Sequence, residues 1–326
     1  MKKIIGIGNA LTDKLIRLNT DQTLSEFGLP KGGMQIIDTE KYSEISWYIE
    51  GFESQTVPGG SACNTIRGIA ELGGDTAFVG MTGNDATGDF FENDLKKSGV
   101  DTKLFRCSTP SGTALTFISP DGERTFATHL GAAVRMSAEM ISEDVFNGCG
   151  ILHLEGYLLQ NRELITKAVQ LAKVCGLQIS LDLASYNVVL ENLNFLQDFV
   201  KDYIDILFAN EEEAKAFTGL DDARDALYLM AEICRIGIVK VGQKGSYVKR
   251  GKEPTIHVGI SPHNCIDTTG AGDFYAAGLL YGLANDFSLE KSAEIAKILS
   301  GNIISVVGVK MNDSQWTDIK NEIAML

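Results

Sequence analysis

The sequence predicts an α/β fold in which a mostly parallel sheet is covered by helices on both faces, with a small β lid over one edge. Three observations carry this. From residue 150 onward, short apolar segments alternate with helical segments, the pattern of a parallel sheet. Residues 3 to 8 read as a short, apolar, glycine-bounded strand, the kind buried on both faces. The stretches 14–38 and 107–130 stand outside the alternation and carry turn punctuation suited to hairpins.

Taken in order, the strand at 3–8 leads into mixed short strands and a turn at Leu29-Pro30-Lys31-Gly32-Gly33, then a helix near 39–50. A loop at Pro58-Gly59-Gly60-Ser61 opens a helix from Ala62 to Leu72, stopped by Gly73-Gly74. Ala77 to Gly80 is a strand, and Asp85 to Ser98 a helix closed by Gly99. Gly112 to Ile118 and Arg124 to His129 form a hairpin about Pro120-Asp121-Gly122. Strands then follow at 151–154, 178–182, 204–209 and 237–241, with helices at 161–175, 191–202, 211–218 and 221–235 between them. Two long helices, 271–285 and 288–306, come last. The expectation is one α/β domain over 1–326, with the 14–38 and 107–130 segments lying over the carboxyl edge of the sheet, where such sheets bind ligands.

Bulk properties narrow the function. The 326 residues carry 44% hydrophobic and 22% charged residues and a formal net charge of −14. A non-specific nucleic-acid binder needs a cationic surface, so that partner class is excluded. Six scattered cysteines form no C-x-x-C pair, and the four histidines show no H-E-x-x-H spacing, which argues against zinc and disulfide frameworks. No apolar run reaches the roughly 18 to 20 residues that span a bilayer, and the N-terminal segment lacks a cleavage site. The expected setting is the cytoplasm, without a membrane partner.

Five constellations can carry chemistry. In Asp267-Thr268-Thr269-Gly270-Ala271-Gly272-Asp273, glycines let backbone approach a ligand at a helix N-terminus, whose free N–H groups suit a phosphoryl group. Asp273 in that first turn can accept the proton of an attacking hydroxyl. An acidic cap on a buried helix has the same pattern. Gly59-Gly60-Ser61-Ala62-Cys63-Asn64 brings amides and the Asn64 amide side chain to one place, as a plain tight turn also does. Asp13, just past the first strand, can grip two neighbouring hydroxyls, but on the residues alone a strand-ending turn is the stronger reading. Asn210-Glu211-Glu212-Glu213 ends a strand, where carboxylates can order Mg²⁺ through water, or simply favour a helix N-terminus. Lys240-Val241-Gly242-Gln243-Lys244-Gly245 closes another strand. No Walker A sequence is present, so a P-loop mechanism is excluded.

These motifs, in this order, resemble the ribokinase-like (PfkB) carbohydrate kinases, most closely the adenosine-kinase branch. The resemblance implies a three-layer α/β/α sandwich with a β lid. It implies an ATP-dependent kinase phosphorylating a hydroxymethyl group of a nucleoside or sugar. Asp273 is then the base, with Gly270, Ala271 and Gly272 as the anion hole. Asp13, Gly59, Gly60 and Asn64 would hold substrate hydroxyls, with Gln35, Ile37 and Phe126 lining a base pocket. Asn210, Lys240, Gly242, Gly245 and Asn302 fall on the ATP side, the adenine lying near 242–268 and 297–302. Glu213 would act on Mg²⁺ through water, and Asp267 would lie in a region for a monovalent cation such as K⁺ or for phosphate. Arg124 would reach phosphates on lid closure, or else be an ordinary exposed hairpin charge. Two positions depart from the family pattern. Lys240 stands where Thr or Ser is usual, so that its ammonium would contact phosphate directly or the local nucleotide contact would differ, and Cys63 stands for Ala, where it could narrow the pocket or carry no consequence. The lid leaves both a monomer and a lid-paired homodimer open. The rival readings are a hexose or keto-sugar kinase on the same fold, and a non-catalytic nucleoside or sugar sensor.

Overall fold

The computed structural model describes residues 1–326. Its strands are β1 (Lys3–Ile7), β2 (Leu11–Arg17), β3 (Met34–Ile36), β4 (Ser54–Gly59), β5 (Thr76–Gly83), β6 (Asp101–Cys107), β7 (Gly112–Ile118), β8 (Arg124–His129), β9 (Cys149–Glu155), β10 (Gln178–Asp182), β11 (Ile206–Asn210), β12 (Ile236–Lys240), β13 (Ser246–Arg250) and β14 (Ile256–Val258). The helices are α1 (Gln22–Glu26), α2 (Thr39–Tyr48), α3 (Ser61–Glu71), α4 (Ala86–Lys97), α5 (Arg162–Val174), α6 (Tyr186–Tyr203), α7 (Glu211–Thr218), α8 (Ala223–Ile233), α9 (Ala271–Ala284), α10 (Leu289–Ile303) and α11 (Asp313–Ala324).

Nine strands form the main sheet in the order β14-β13-β12-β11-β10-β9-β1-β5-β6. It is parallel from β12 to β6 and antiparallel at β13 and β14. The strand period of two sorts β1 between the layers. Ile4 enters the core shared with α3, α4, α9, α10 and α11. Ile5 and Ile7 enter the core shared with α5, α6, α7 and α8. Gly6 has no Cβ because α3 lies against it: an added Cβ would stand 2.4 Å from Ile66 Cγ1. The helix-covered parallel sheet is thus the architecture the sequence predicts.

A second sheet, ordered β3-β8-β7-β2-β4, covers part of the carboxyl edge of the first. Ile16, Leu18, Leu24, Leu29, Ile45, Ile49, Leu115, Phe117 and Ala127 give it a core of its own. The expected hairpin is β7–β8, with Gly122 at φ 88° in its turn. The composition of this sheet differs from expectation at two places. Pro58 and Gly59, read as part of a loop, instead end strand β4, which pairs with β2. Cys107 belongs to β6, the edge strand of the main sheet. Elsewhere α6 starts at Tyr186 rather than 191, because the preceding Asp182–Ala184 turn is closed by Asp182 Oδ1 accepting from Ala184 N at 3.0 Å. No helix is long and apolar enough to cross a membrane.

Candidate active site

A cavity of about 520 Å³ lies between the two sheets, within the size range of small-molecule sites. The carboxyl ends of β9 to β12 supply Glu155, Asp182, Asn210 and Lys240, and the first turn of α9 supplies Gly272 and Asp273. From the second sheet come Leu11, Asp13, Met34, Ile36, Phe126 and Thr128. A second cavity, about 390 Å³, opens beside it against Gly245, Ile260, His263, Tyr275, Lys297 and Gly301. Lys240, Gly242 and Gly272 line both.

Asp273 is held by α3. Its Oδ1 accepts from Ser61 Oγ at 2.7 Å and its Oδ2 from Asn64 Nδ2 at 2.9 Å. Thr65 Oγ1 donates to the Asp273 carbonyl at 3.1 Å. Burial pushes the Asp273 carboxyl up to about 7, against the pull of the Asn64 and Ser61 hydrogen bonds. That value suits a base working near neutral pH. Asn64 therefore grips the Asp273 carboxylate rather than lining the cavity, where contact with substrate hydroxyls was expected. Ser61 does the same work and was not singled out, although it sits inside the Gly-Gly-Ser run.

The amides expected to form an anion hole differ in their partners. Ala271 N donates to the Thr268 carbonyl at 3.1 Å, so it is spent. The amides of Gly270, Gly272 and Asp273 find no backbone acceptor, as the first turn of a helix dictates. Gly270 is at φ 76°, and an added Cβ would stand 2.6 Å from Val309 Cγ1.

Asp13 faces the first cavity, and no protein donor hydrogen-bonds its carboxylate. Burial raises it to about 6, opposed by Arg67 and Arg124. Gly59 stands behind it: a Cβ there would lie 2.5 Å from Asp13 Oδ1. Gly59 thus makes room for the carboxylate, while Gly60 reaches the cavity itself. Glu155, unpredicted, ties the floor together by accepting from Asn9 N at 2.9 Å, Asn9 Nδ2 at 2.7 Å and Ala62 N at 2.9 Å.

Four further expectations change. Along β3 the period of two turns Met34 and Ile36 to the cavity, and Gln35 points away, exposed. Ile37 packs in the small core of the second sheet. Phe126 lines the cavity as expected. Asn302 spends its amide on the Ile298 carbonyl at 2.9 Å within α10, and Lys297, Ser300 and Gly301 line the second cavity instead. Cys63 is fully buried in the core and narrows no pocket.

The Asp267 carboxylate is engaged by protein partners. Its Oδ1 accepts from Thr269 N at 3.0 Å and Thr269 Oγ1 at 2.8 Å, its Oδ2 accepts from Gly308 N at 2.6 Å, and Arg124 Nη2 forms an ion pair with Oδ2 at 2.5 Å. A carboxylate offers about four acceptor sites, and these partners fill them. Arg124 is accordingly a buried ion-pair partner, not an exposed hairpin charge.

Asn210 and Glu213 form a reciprocal capping box on α7. Burial raises the Glu213 carboxyl to about 7, opposed by Lys240. The Asn210 side chain and the carboxylates of Glu213 and Asp182 give this corner the hard oxygen donors that Mg²⁺ prefers. No group of three or more His, Cys, Asp or Glu side chains is placed to hold a metal ion by itself.

A helix N-terminus with free amides, a buried carboxylate in its first turn and two adjoining cavities are parts that phosphoryl transfer requires. The model of the pfkB family carbohydrate kinases matches residues 30–315. The chain belongs to that family. It is 30% identical over 262 residues to a probable fructokinase-4 of Arabidopsis thaliana, covering 74% of this chain and 78% of that one. It is also 30% identical over 234 residues to the guanosine-inosine kinase of Escherichia coli, covering 67% of this chain and 53% of that one. Among solved structures, adenosine kinase from Sinorhizobium meliloti superimposes with a TM-score of 0.88 at 31% identity, over 98% of this chain and 99% of the other. A probable sugar kinase from Rhizobium etli gives a TM-score of 0.89 at 30% identity, over 98% of each chain. The fold is ribokinase-like, and the kinase is a phosphotransferase with an alcohol group as acceptor. Small-molecule acceptor and ATP are its substrates.

Proposed function

We propose that this kinase transfers the γ-phosphoryl group of ATP to the hydroxymethyl group of a nucleoside, with a purine nucleoside the best fit. The observation that carries this reading is the wall of the first cavity. Met34 and Ile36 remain 51% and 54% exposed there, beside Phe126, Leu11 and Leu130. An apolar wall next to an unpartnered carboxylate suits a flat base joined to a ribose diol, whereas a hexose asks for more polar groups.

In this reading Asp13 accepts hydrogen bonds from the two ribose hydroxyls, and Gly60 lines their approach. The hydroxymethyl group then lies towards Asp273, which takes its proton as the oxygen meets phosphorus. The amides of Gly270, Gly272 and Asp273 receive the charge that grows on the phosphoryl oxygens. Asn64 and Ser61 fix the carboxylate, and Gly242 and Gly245 bring backbone close to the nucleotide. Mg²⁺ bound with ATP supplies charge neutralisation of the phosphates, and Asn210 and Glu213 would hold its water shell. The second sheet acts as a lid that excludes water.

The test is a panel of nucleosides, hexoses and keto-sugars mixed with protein and Mg-ATP, read as ADP formed. A purine nucleoside should give the highest kcat/KM, with phosphate appearing on its 5′ oxygen. A fructose or hexose preference would overturn the nucleoside reading and leave the kinase reading intact. No ADP with any acceptor would favour a sensor.

A further inference from the structure

We propose that Lys240 is a catalytic residue of this kinase: its ammonium contacts the γ-phosphoryl group as that group crosses from the ATP-side cavity to the acceptor cavity, with Asp182 as its positioning residue. This rests on the kinase reading above and adds a residue at which the family pattern has an uncharged Thr or Ser.

Position comes first. Lys240 is one of three residues shared by the two cavities, the others being Gly242 and Gly272. Its Nζ lies 3.1 Å from the point where a Cβ on Gly272 would stand. It is therefore set against the first turn of α9, beside the free amides. A group passing between the cavities passes this ammonium.

Charge comes second. Lys240 is the only lysine or arginine lining the acceptor cavity, against Asp13, Glu155, Asp182, Glu213 and Asp273. A phosphoryl group moving into that wall of carboxylates meets repulsion unless a cation stands at the crossing. In the second cavity the lining cation Lys297 is paired with Glu294.

Unspent donors come third. An ammonium has three N–H donors. Lys240 Nζ gives one to Asp182 Oδ2 at 2.8 Å, and no other protein acceptor takes the remaining two. Asp182 stands against the ammonium as its counter-ion. Asp182 is itself fixed by the hydrogen bond from Ala184 N.

In the transfer the bond from the acceptor oxygen to Pγ forms and the bond from Pγ to the β,γ-bridging oxygen breaks. The acceptor proton goes to Asp273 and ADP leaves. Lys240 keeps its protons and donates two hydrogen bonds to the moving group.

Lys240→Met, Lys240→Thr, Lys240→Arg and Asp182→Asn test this through steady-state kinetics and calorimetric binding of ATP and ADP. Lys240→Met and Lys240→Thr should lower kcat by about 10²-fold, with the acceptor KM changed less than about threefold. Lys240→Arg should retain more kcat than either. Lys240→Met should weaken ATP binding while leaving ADP binding at the wild-type value. Lys240→Met leaves Asp182 buried without a partner, so Lys240→Met/Asp182→Asn is measured too, and its folding is checked by thermal melting. A folded variant with wild-type kcat, or an equal loss of ATP and ADP affinity, overturns the role. If the wild-type protein forms no ADP with any acceptor, the kinase reading fails separately, and the ATP-against-ADP comparison still decides whether Lys240 meets a γ-phosphate.

Discussion

Asn64 Nδ2 donates to Asp273 Oδ2 at 2.9 Å, joining the first turns of two helices 209 positions apart in the chain. The contact ties the two Gly-rich segments into one device, in which α3 aims the carboxylate that α9 carries. Ser61 completes the grip on the other carboxylate oxygen at 2.7 Å.

Asp273→Asn removes the proton acceptor while keeping the side-chain shape. kcat should fall by about 10³-fold, within the range that general bases contribute. ATP and acceptor affinities should stay near wild-type values by calorimetry. Turnover close to wild type would sink the assignment of the base.

The rate needs the ionised form of Asp273, so kcat/KM should rise with pH through about 7 and then level off. The Asn64 and Ser61 hydrogen bonds favour the charged carboxylate. Removing either in Asn64→Ala or Ser61→Ala should move the acid limb to higher pH. A limb that stays in place in both variants would count against the positioning role.

The same burial has a stability consequence of fixed sign. Asp273 has a folded-state value raised from 3.8 to about 7. Its neutral form is therefore favoured in the fold, and this contribution is complete below about pH 4 and lost as pH rises through 7. Asp273→Asn should melt increasingly above wild type as pH rises across that window. Parallel melting curves at pH 4 and pH 8 would contradict the linkage.

Asp13 has no protein partner to lose and faces the acceptor cavity. Asp13→Ala should raise the acceptor KM at least about tenfold, the scale of hydrogen bonds to a charged group, and leave the ATP KM near wild type. Equal changes in both constants would remove Asp13 from acceptor binding.

The pair Arg124–Asp267 crosses from β8 to the loop before α9, with both side chains nearly buried. Breaking a buried pair from one side costs about 3 to 5 kcal/mol. Arg124→Ala should therefore lower the urea midpoint more than the exposed control Lys2→Ala, whose partner Asp286 is open to solvent. Similar midpoints would show that the pair contributes no net stability.

Much of this protein is written in local patterns. Alternating strands and helices after residue 150 specify the parallel sheet, and the Gly-Ala-Gly-Asp run specifies a helix start that favours anions, because period and punctuation are short-range properties. The ordered motifs and the family resemblance they carry nominate Asp13, Asp273 and Glu213, which residue type alone leaves open to a turn or a helix cap. What the chain order cannot state is which side chain meets which across long separations. Asn64 reads as a ligand for hydroxyls, yet folding turns it onto Asp273. Asp267 shows no sign in the chain order of its partner, yet β8 delivers Arg124 to it. Met34 and Ile36 face the cavity instead of Gln35 because strand pairing with β8 fixes the face each residue presents. Asp182 gave a faint local signal, an Asp ending an apolar strand, but its value as the partner of Lys240 depends on β10, β11 and β12 lying side by side. The sequence determines the kind of chemistry through the residues it sets at helix starts and strand ends. The tertiary structure decides the roles, because hydrogen bonding and charge pairing act at a few ångströms and only the fold sets those distances.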